Sequence, residues 1–465
     1  MKKPCALILV LAIILSACNV TSIDLSTGPA PQPNIILILS DDQRADDLGS
    51  MPNLAALTAE GTNFTHAYVT TPLCCPSRSS ILTGEYAHNH GVLGNTAPYG
   101  FEAFPDSETI GTWLQTAGYK TALIGKYLNG YANTKGKYVP PGWDTFMAFV
   151  KGPNYYEYTL KNFVDGVDEG ILKYGSEEAD YSTEVIAEDA MDFLNETESN
   201  DTQPFFLYFT PYAPHEPATP SEKYKDMAAN IDPTTAPSYN EEDVSDKSTW
   251  VQSLPKLSAA EEEQLKNYGS LTAGALKDLD DGIGKIIDTL KANNELDNTV
   301  ILYMSDNGLQ WGEHRIALSK NAPYEESVHV PLIIYDGRIK AAGSIDEFAL
   351  NIDLAPTLLD WAGLTIPDTV DGKSLKPLLE GHTDEWRTSF LTEAWGSREG
   401  ATFTGVHEGT WSYIDYGDGQ TELYDLEVDP YELNNLAKDN KYADVLKELE
   451  AELARLKECK GSACT

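Results

Sequence analysis

Four polar segments each come directly after an apolar run that predicts a buried β-strand. They are Asp41-Asp42, Gly125-Lys126, the run 210–215 that ends at His215, and Asp306-Asn307. Ligands bind beyond the carboxyl ends of parallel strands, so these side chains converge if the strands share one sheet. Asp and Asn oxygens favour calcium or magnesium over zinc, and the lysine and histidine add positive charge for an anionic group. Each segment alone is most often a turn, but four together favour a metal and anion site.

The elements that must position these residues form an α/β pattern. Apolar runs predict strands over 34–39, 121–124, 205–209, 300–304 and 330–335. Helices are predicted over 52–60, 107–117, 258–290 and 353–362, the third of them beginning at the capping box Ser258 to Glu261. The polar, Pro-rich stretch 216–257 is interpreted as a surface excursion. After residue 380 shorter strands and a final helix over 443–456 indicate a smaller second domain.

The charge excludes one class of function. The chain has 465 residues with 33 basic and 72 acidic side chains, a formal net charge of −39. An electrostatic nucleic-acid binder shows the opposite bias. The acidity also disfavours long-range capture of a polyanion, and fits better a small or terminal anionic ester in a locally positive pocket.

A contiguous motif gives the chain a specific resemblance. The segment 74–84, Cys-Cys-Pro-Ser-Arg-Ser-Ser-Ile-Leu-Thr-Gly, resembles the signature of the type I, formylglycine-dependent sulfatases. Residues 109–126 are similar to the second family signature, and 422–436 to its C-terminal segment. Within the family, the segments 74–75, 88–90 and 126–129 look most like the glucosamine-6-sulfatase and heparan 6-O-endosulfatase branch.

The resemblance implies an architecture. We expect an alkaline-phosphatase-like α/β/α sandwich with a large mixed sheet, followed by a smaller C-terminal α+β domain with an antiparallel sheet. The catalytic sulfatase domain would cover 34–380 and the smaller domain 381–465.

The resemblance also implies a chemistry for named residues. A formylglycine-generating enzyme would oxidise Cys74 to formylglycine; one hydroxyl of its hydrate would attack sulfur in line, and the other would then expel sulfate. One calcium ion would be held by residue 74 with the four acid and amide side chains Asp41, Asp42, Asp306 and Asn307. The remaining roles would be Arg78 on the formylglycine hydroxyl, Lys126 and Lys320 on sulfate oxygens, and His215 as the acid that protonates the leaving oxygen.

One position departs from the family pattern. Many arylsulfatases have histidine two residues after the lysine that corresponds to Lys126, where this chain has Leu128. The base for sulfate elimination is therefore open. His88 and His90 are candidates, although a structural role fits them equally well.

The substrate expected from the branch is a sulfated sugar, with sulfate on the 6-position of glucosamine or a related hexose. The segments 140–180 and 216–257 are the candidate specificity loops, and Trp143, Tyr155, Tyr156 and Tyr158 suit stacking on a sugar ring, although packing explains such residues as often. Two alternatives are a phosphate or phosphonate ester hydrolase of the same fold and a non-catalytic glycan-binding lipoprotein.

The N-terminal residues predict where in the cell the protein is located. Lys2 and Lys3 precede an apolar stretch over 6–15, and Leu-Ser-Ala-Cys at 15–18 resembles a bacterial lipobox. We expect residues 1–17 to be a lipoprotein signal peptide, Cys18 to be lipidated, and 18–33 to tether the protein to a membrane. The protein would then lie in the bacterial cell envelope, facing the periplasm or the exterior. The alternative is an ordinary signal peptide that contains a cysteine.

Two cysteines near the end of the chain suggest a cross-link. Cys459 and Cys464 are separated by four residues. In an oxidising compartment this spacing suits a small disulfide loop. The alternative is a pair of free thiols on a frayed tail.

Overall fold

A mixed sheet flanked by helices dominates the computed structural model, which describes residues 32–151, 153–198, 203–396 and 400–465. The predicted signal peptide, the lipidation site Cys18 and most of the tether lie outside these residues. Within them, no helix combines the length and the apolar character needed to cross a membrane.

The strands and helices alternate along most of the chain, as the sequence predicts. The strands are β1 (Asn34–Ser40), β2 (Thr62–Phe64), β3 (Ala67–Tyr68), β4 (Lys120–Gly125), β5 (Thr145–Lys151), β6 (Thr159–Val164), β7 (Val167–Lys173), β8 (Phe205–Thr210), β9 (Thr299–Ser305), β10 (Gln310–Trp311), β11 (Ala317–Ser319), β12 (Leu332–Asp336), β13 (Gly343–Ile345), β14 (Ala349–Leu350), β15 (Ser389–Ala394), β16 (Phe403–Glu408), β17 (Trp411–Asp415) and β18 (Thr421–Asp425). The helices are α1 (Pro52–Glu60), α2 (Cys74–Thr83), α3 (Ala87–His90), α4 (Ile110–Thr116), α5 (Ser182–Glu198), α6 (Thr249–Gln252), α7 (Ala259–Asn293), α8 (Glu325–Val328), α9 (Leu354–Trp361), α10 (Lys376–Leu379) and α11 (Ala443–Leu456).

Among the described residues the large sheet has ten strands, in the order β13-β2-β12-β9-β1-β8-β4-β5-β6-β7. The central strands β9, β1, β8, β4 and β5 run parallel, whereas β12 pairs antiparallel with β9 and the meander β5-β6-β7 is antiparallel. Parallel strands need covered faces, which explains why β1 is buried throughout and apolar between Asn34 and Ser40 at its ends.

Alternate residues of β1 enter separate cores on the two faces of the sheet. Ile35 and Leu37 pack on one face with residues of α2, α4 and α9. Ile36 and Ile38 pack on the other face with residues of α5 and α7. This three-layer α/β/α arrangement confirms the predicted fold class.

The C-terminal part of the chain forms a four-stranded antiparallel sheet, β15-β16-β17-β18, against which α11 packs. Residues Gln32–Thr465 group into one compact unit, so the boundary between 380 and 381 stays a prediction. Cys459 and Cys464 form a disulfide with a Cα–Cα distance of 5.0 Å. The predicted disulfide is therefore present, and the alternative of two free thiols is not.

Candidate active site

The four polar segments lie side by side because β9, β1, β8 and β4 are neighbours in the sheet. Backbone hydrogen bonds continue past the strand ends. The amide of Asp306 donates to Ser40 O at 3.1 Å, and the amide of Lys126 donates to Thr210 O at 2.6 Å. The expected convergence at the carboxyl edge of the sheet is therefore present.

Helix α2 brings Cys74 to this edge. The helix begins at Cys74 and ends before Gly84, whose left-handed backbone (φ 74°) suits a residue without a side chain. Every residue of α2 is buried, and Cys74 is 1% exposed. At the first position of the helix, Cys74 lies near the positive end of the helix dipole, which favours a bound anion.

Arg78 lies one helical turn after Cys74 and forms hydrogen bonds with residues that follow two different strands. Its Nε donates to Asp306 Oδ2 at 2.7 Å, and its Nη1 donates to Lys126 O at 2.9 Å. The Nζ of Lys126 donates to Asp41 Oδ2 at 2.5 Å. Arg78 Nη2 lies 3.7 Å from the same Asp41 oxygen and has no hydrogen-bond partner among the described residues.

Lys320 and His215 complete the cluster around Asp42. The Nζ of Lys320 donates to the two Asp42 carboxylate oxygens at 2.6 and 2.7 Å and lies 2.9 Å from Cys74 Sγ. His215 Nε2 lies 3.4 Å from Asp42 Oδ2, and its Nδ1 donates to Glu216 O at 2.8 Å. The histidine side chain is 25% exposed, whereas its neighbours are nearly inaccessible, so it marks the solvent side of the cluster.

The fixed cations keep the buried carboxylates ionised. Burial alone raises the pKa of Asp41, but Lys126, His215 and Arg78 outweigh it and bring this pKa below its ordinary value. Asp42 behaves in the same way, with Lys320 as its strongest partner. Burial raises the pKa of the Cys74 thiol to about 12 in spite of the two nearby lysines. An unmodified Cys74 is therefore a protonated thiol at neutral pH and a poor nucleophile.

The residues present fit a hard divalent cation. Ligand atoms of Asp41, Asp42, Cys74 and His215 all lie within 4.8 Å of one another. Asn307 donates from its amide nitrogen to Asp42 Oδ1 at 2.7 Å, while its Oδ1 is buried and has no partner in the described part of the chain. A buried oxygen without a partner is costly, and a cation would satisfy it. The acidic cluster therefore has the donor atoms to hold such a cation.

Comparison with known proteins decides the family. The sulfatase family model matches residues 33–364, and the model described as "N-sulphoglucosamine sulphohydrolase, C-terminal" matches residues 312–459. The chain belongs to the sulfatase family. The family prediction made from the segment 74–84 is confirmed.

Several relatives and solved structures are similar to this chain over most of its length. The chain is 36% identical over 392 residues to the extracellular sulfatase SULF-1 homolog of Drosophila melanogaster, covering 81% of this chain but only 34% of that relative. It is 31% identical to the human N-acetylglucosamine-6-sulfatase, covering 93% of this chain and 86% of the relative. A solved protein in complex with its substrate D-glucosamine-2-N,6-O-disulfate matches with a TM-score of 0.77 and 25% identity, over 92% of this chain and 98% of the other.

The two candidate histidines for sulfate elimination are occupied elsewhere. His88 donates from Nδ1 to Glu393 and from Nε2 to Cys459 O. His90 bonds Ser80 through Nε2 and accepts the Val92 amide through Nδ1. Since all four ring nitrogens serve the fold, the structural interpretation holds for both histidines. Leu128, which stands where many arylsulfatases have histidine, is a buried core residue.

The aromatic residues proposed to stack on a sugar are mostly core residues. Trp143, Tyr155 and Tyr158 are at most 5% exposed and belong to the two cores of the large sheet. Trp143 precedes β5 and the two tyrosines lie between β5 and β6, so the segment that holds them packs against the sheet as part of the meander β5-β6-β7. Sequence reasoning missed Tyr212, whose ring stacks on His215 at 4.7 Å. Its place in the run 210–215 was the available signal.

Proposed function

We propose that this sulfatase-family chain hydrolyses sulfate esters through a formylglycine made from Cys74, with one calcium ion at Asp41, Asp42, Asp306 and Asn307. The observation that carries the proposal is the position of residue 74, at the start of α2, one helical turn before Arg78, and against Lys320 and two carboxylates. The same proposal includes a formylglycine-generating enzyme as a partner. Because Cys74 is buried, that enzyme must act before the fold closes.

The nucleophile must come from modification rather than from the thiol. A hydrated formylglycine would supply an oxygen nucleophile for in-line attack on sulfur. Arg78 Nη2 is the donor available to hold that oxygen, since the other nitrogens of Arg78 already bond Asp306 and Lys126 O. A calcium ion would neutralise charge that develops on the sulfate oxygens.

Lys126 and Lys320 are the candidate sulfate ligands. Both amines now donate to the carboxylates of Asp41 and Asp42. With those carboxylates engaged by a cation, each amine can turn to a sulfate oxygen. Three carboxylates, Asp41, Asp42 and Asp306, face the three cations Lys126, Lys320 and Arg78, so the site accepts a divalent cation and an anionic ester together without a large charge excess.

His215 is the proposed general acid. It lies at the exposed side of the cluster, where the leaving group departs, and its Nδ1 bond to Glu216 O together with stacking on Tyr212 fixes the ring. Because Nδ1–H is held by the Glu216 carbonyl, the acid is the protonated, imidazolium form of the ring, which gives its Nε2 proton to the leaving oxygen.

The proposed substrate carries sulfate on the 6-position of a glucosamine or a related hexose. Support comes from the N-acetylglucosamine-6-sulfatase relatives and from the neighbour solved with a glucosamine disulfate. The net charge of −39 argues for a small or terminal sulfate ester rather than a long polyanion.

The test is a substrate panel compared by kcat/KM. It contains N-acetylglucosamine-6-sulfate, hexoses sulfated at other positions, an aryl sulfate, a phosphate diester and a phosphonate monoester. A Cys74→Ala preparation purified in parallel measures contaminating sulfatases. We expect the 6-sulfated glucosamine to be turned over fastest. Faster hydrolysis of the phosphonate would reject the sulfate ester; faster hydrolysis of the aryl sulfate would reject only the sugar.

We also propose that the protein is lipid-anchored through Cys18 in a bacterial envelope. The motif at 15–18 is the support. Cys18→Ala should release the protein from the membrane fraction or leave it unprocessed, with Cys5→Ala as the matched control. Normal membrane retention of the Cys18 variant would contradict the anchor.

A further inference from the structure

A second group of ligating side chains lies apart from the Cys74 site. One ligand atom each from His314, Glu326 and Glu432 lies within 4.8 Å of the others. His314 is in the loop after β10, Glu326 is in α8, and Glu432 follows β18. The group therefore joins loops of the large sheet to the C-terminal segment of the chain.

His314 is a buried imidazole with one free ring nitrogen. The side chain is inaccessible to solvent, and its Nδ1 donates to Glu241 Oε2 at 2.7 Å. Its Nε2 is buried and has no hydrogen-bond partner among the residues described. Metal-binding histidines commonly donate their second ring nitrogen to a carboxylate, which fixes the tautomer and turns the free nitrogen to the ion. Glu241 and His314 have that relation.

Among the described residues no lysine or arginine pairs with the Glu326 or Glu432 carboxylate, whose hydrogen-bond donors are Gln310, Ser412 and the Glu325 amide. Arg44 bonds Asp46 and Glu313, and the Nζ of Lys247 donates to the backbone carbonyls of Glu432 and Leu433. Glu432 itself accepts the amide of Glu325 at 3.0 Å, which brings a third carboxylate close. Glu432 is 1% exposed and Glu326 is partly buried, and carboxylates this close together are stabilised by a cation or by protons.

An ion could reach the group from solvent. A cavity of about 370 Å³ lies beside it, lined by Glu313, Glu325, Glu326 and His329 among other residues. Arg44 also lines the cavity but pairs with Asp46 and Glu313, so the remaining acidic side chains of the lining would attract a divalent cation.

We propose that His314, Glu326 and Glu432 bind a divalent transition-metal ion of the zinc type, which fastens the C-terminal segment to the loops of the large sheet. The imidazole donor selects zinc over calcium, since calcium takes oxygen ligands. The site is separate from the one proposed for catalysis, and its role is structural.

The test must separate the two metal sites. Asp41, Asp42, Cys74 and His215 could themselves hold zinc, so zinc binding is measured by titration calorimetry on metal-stripped full-length protein in a Cys74→Ala/His215→Ala background. We expect one zinc ion to bind per chain, and the added Glu326→Gln/Glu432→Gln pair to weaken binding at least about ten-fold. The exposed pair Glu448→Gln/Glu450→Gln removes the same charge and should leave zinc binding unchanged.

Thermal unfolding gives a second readout that does not depend on activity. Zinc at a hundred-fold excess over its Kd should raise Tm by about 3 °C, and the Glu326→Gln/Glu432→Gln pair should abolish that rise. The same pair should raise the Tm of the metal-free protein, since two repelling charges are gone.

Two outcomes would overturn the proposal. One is an unchanged zinc isotherm in the paired variant, and the other is calcium binding in place of zinc. If the paired variant does not fold, His314→Gln replaces it. Zinc affinity equal to the parent in that variant would also reject the site.

Discussion

Buried carboxylates gather in two regions of this molecule, around Cys74 and around His314. At Cys74, fixed cations hold the pKa of Asp41 and Asp42 below its ordinary value in spite of burial. At His314, burial and then repulsion from Glu325 hold the pKa of Glu432 well above its ordinary value. The first region is therefore charge-balanced before any ligand arrives, so it can take a cation and an anion together. The second region has an excess of carboxylates and attracts protons or a metal ion.

The largest loss of activity is expected when the proposed nucleophile is removed. Cys74→Ala should lower kcat/KM on a sulfate ester by at least about a thousand-fold, because residue 74 supplies the attacking oxygen. Cys75→Ala is the control: its thiol is also buried, but it contacts Asn129 O instead of a lysine. Comparable losses in the two variants would contradict the assignment.

The second test concerns the proposed calcium site. Asp306→Asn should reduce activity by about a hundred-fold and shift the calcium dependence to higher concentration, since one charged ligand is lost. The amide is chosen because alanine would leave the buried Arg78 without its partner, at a cost of about 3–5 kcal/mol. The exposed Asp418→Asn is the control. An unchanged calcium dependence in the Asp306 variant would count against the metal ligand.

Much of the fold and most of the site could be predicted from sequence. Strands β1, β8 and β9 are continuous apolar runs, and a capping box marks the start of α7, so local signals sufficed. Most residues of the site could be predicted because they come directly after predicted strands or belong to the motif at 74–84.

Other features depend on contacts distant in sequence. The sequence predicts a specificity loop over 140–180, where the structure has the meander β5-β6-β7; its outer strand β7 is mostly exposed and lacks an apolar run. His314, Glu326 and Glu432 lie more than 100 residues apart at the extremes, and no spacing rule joins them. Tertiary packing alone brings them together.

The third test separates acid catalysis from binding. His215→Ala should lower kcat by about a hundred-fold on a sugar sulfate, whose alkoxide needs a proton. The loss should be much smaller on an aryl sulfate with an acidic phenol. The exposed His382→Ala should retain normal kinetics. An equal loss on both substrates would mean that His215 positions the site without donating the proton.

The smallest change is expected in thermal stability, from the pair between His88 and the buried carboxylate of Glu393, where a histidine supplies the positive charge. Burial lowers the pKa of His88, but its bonds to Glu393 raise it to about 9. A raised histidine pKa stabilises the fold below its ordinary value of about 6.5, and that stabilisation is lost as pH rises through 9. Relative to His88→Gln, the parent protein should lose about 1–3 °C of Tm between these pH values. Parallel Tm curves for the two proteins would show that the pair carries no proton linkage.

The central claim, that residue 74 is the modified nucleophile, can be read directly from the mass of one peptide. Trypsin releases residues 45–78 as a single fragment that contains both Cys74 and Cys75. In protein active on sulfate esters, fragmentation should place an aldehyde on residue 74 and an intact thiol on residue 75. An unmodified Cys74 in fully active protein would contradict the account.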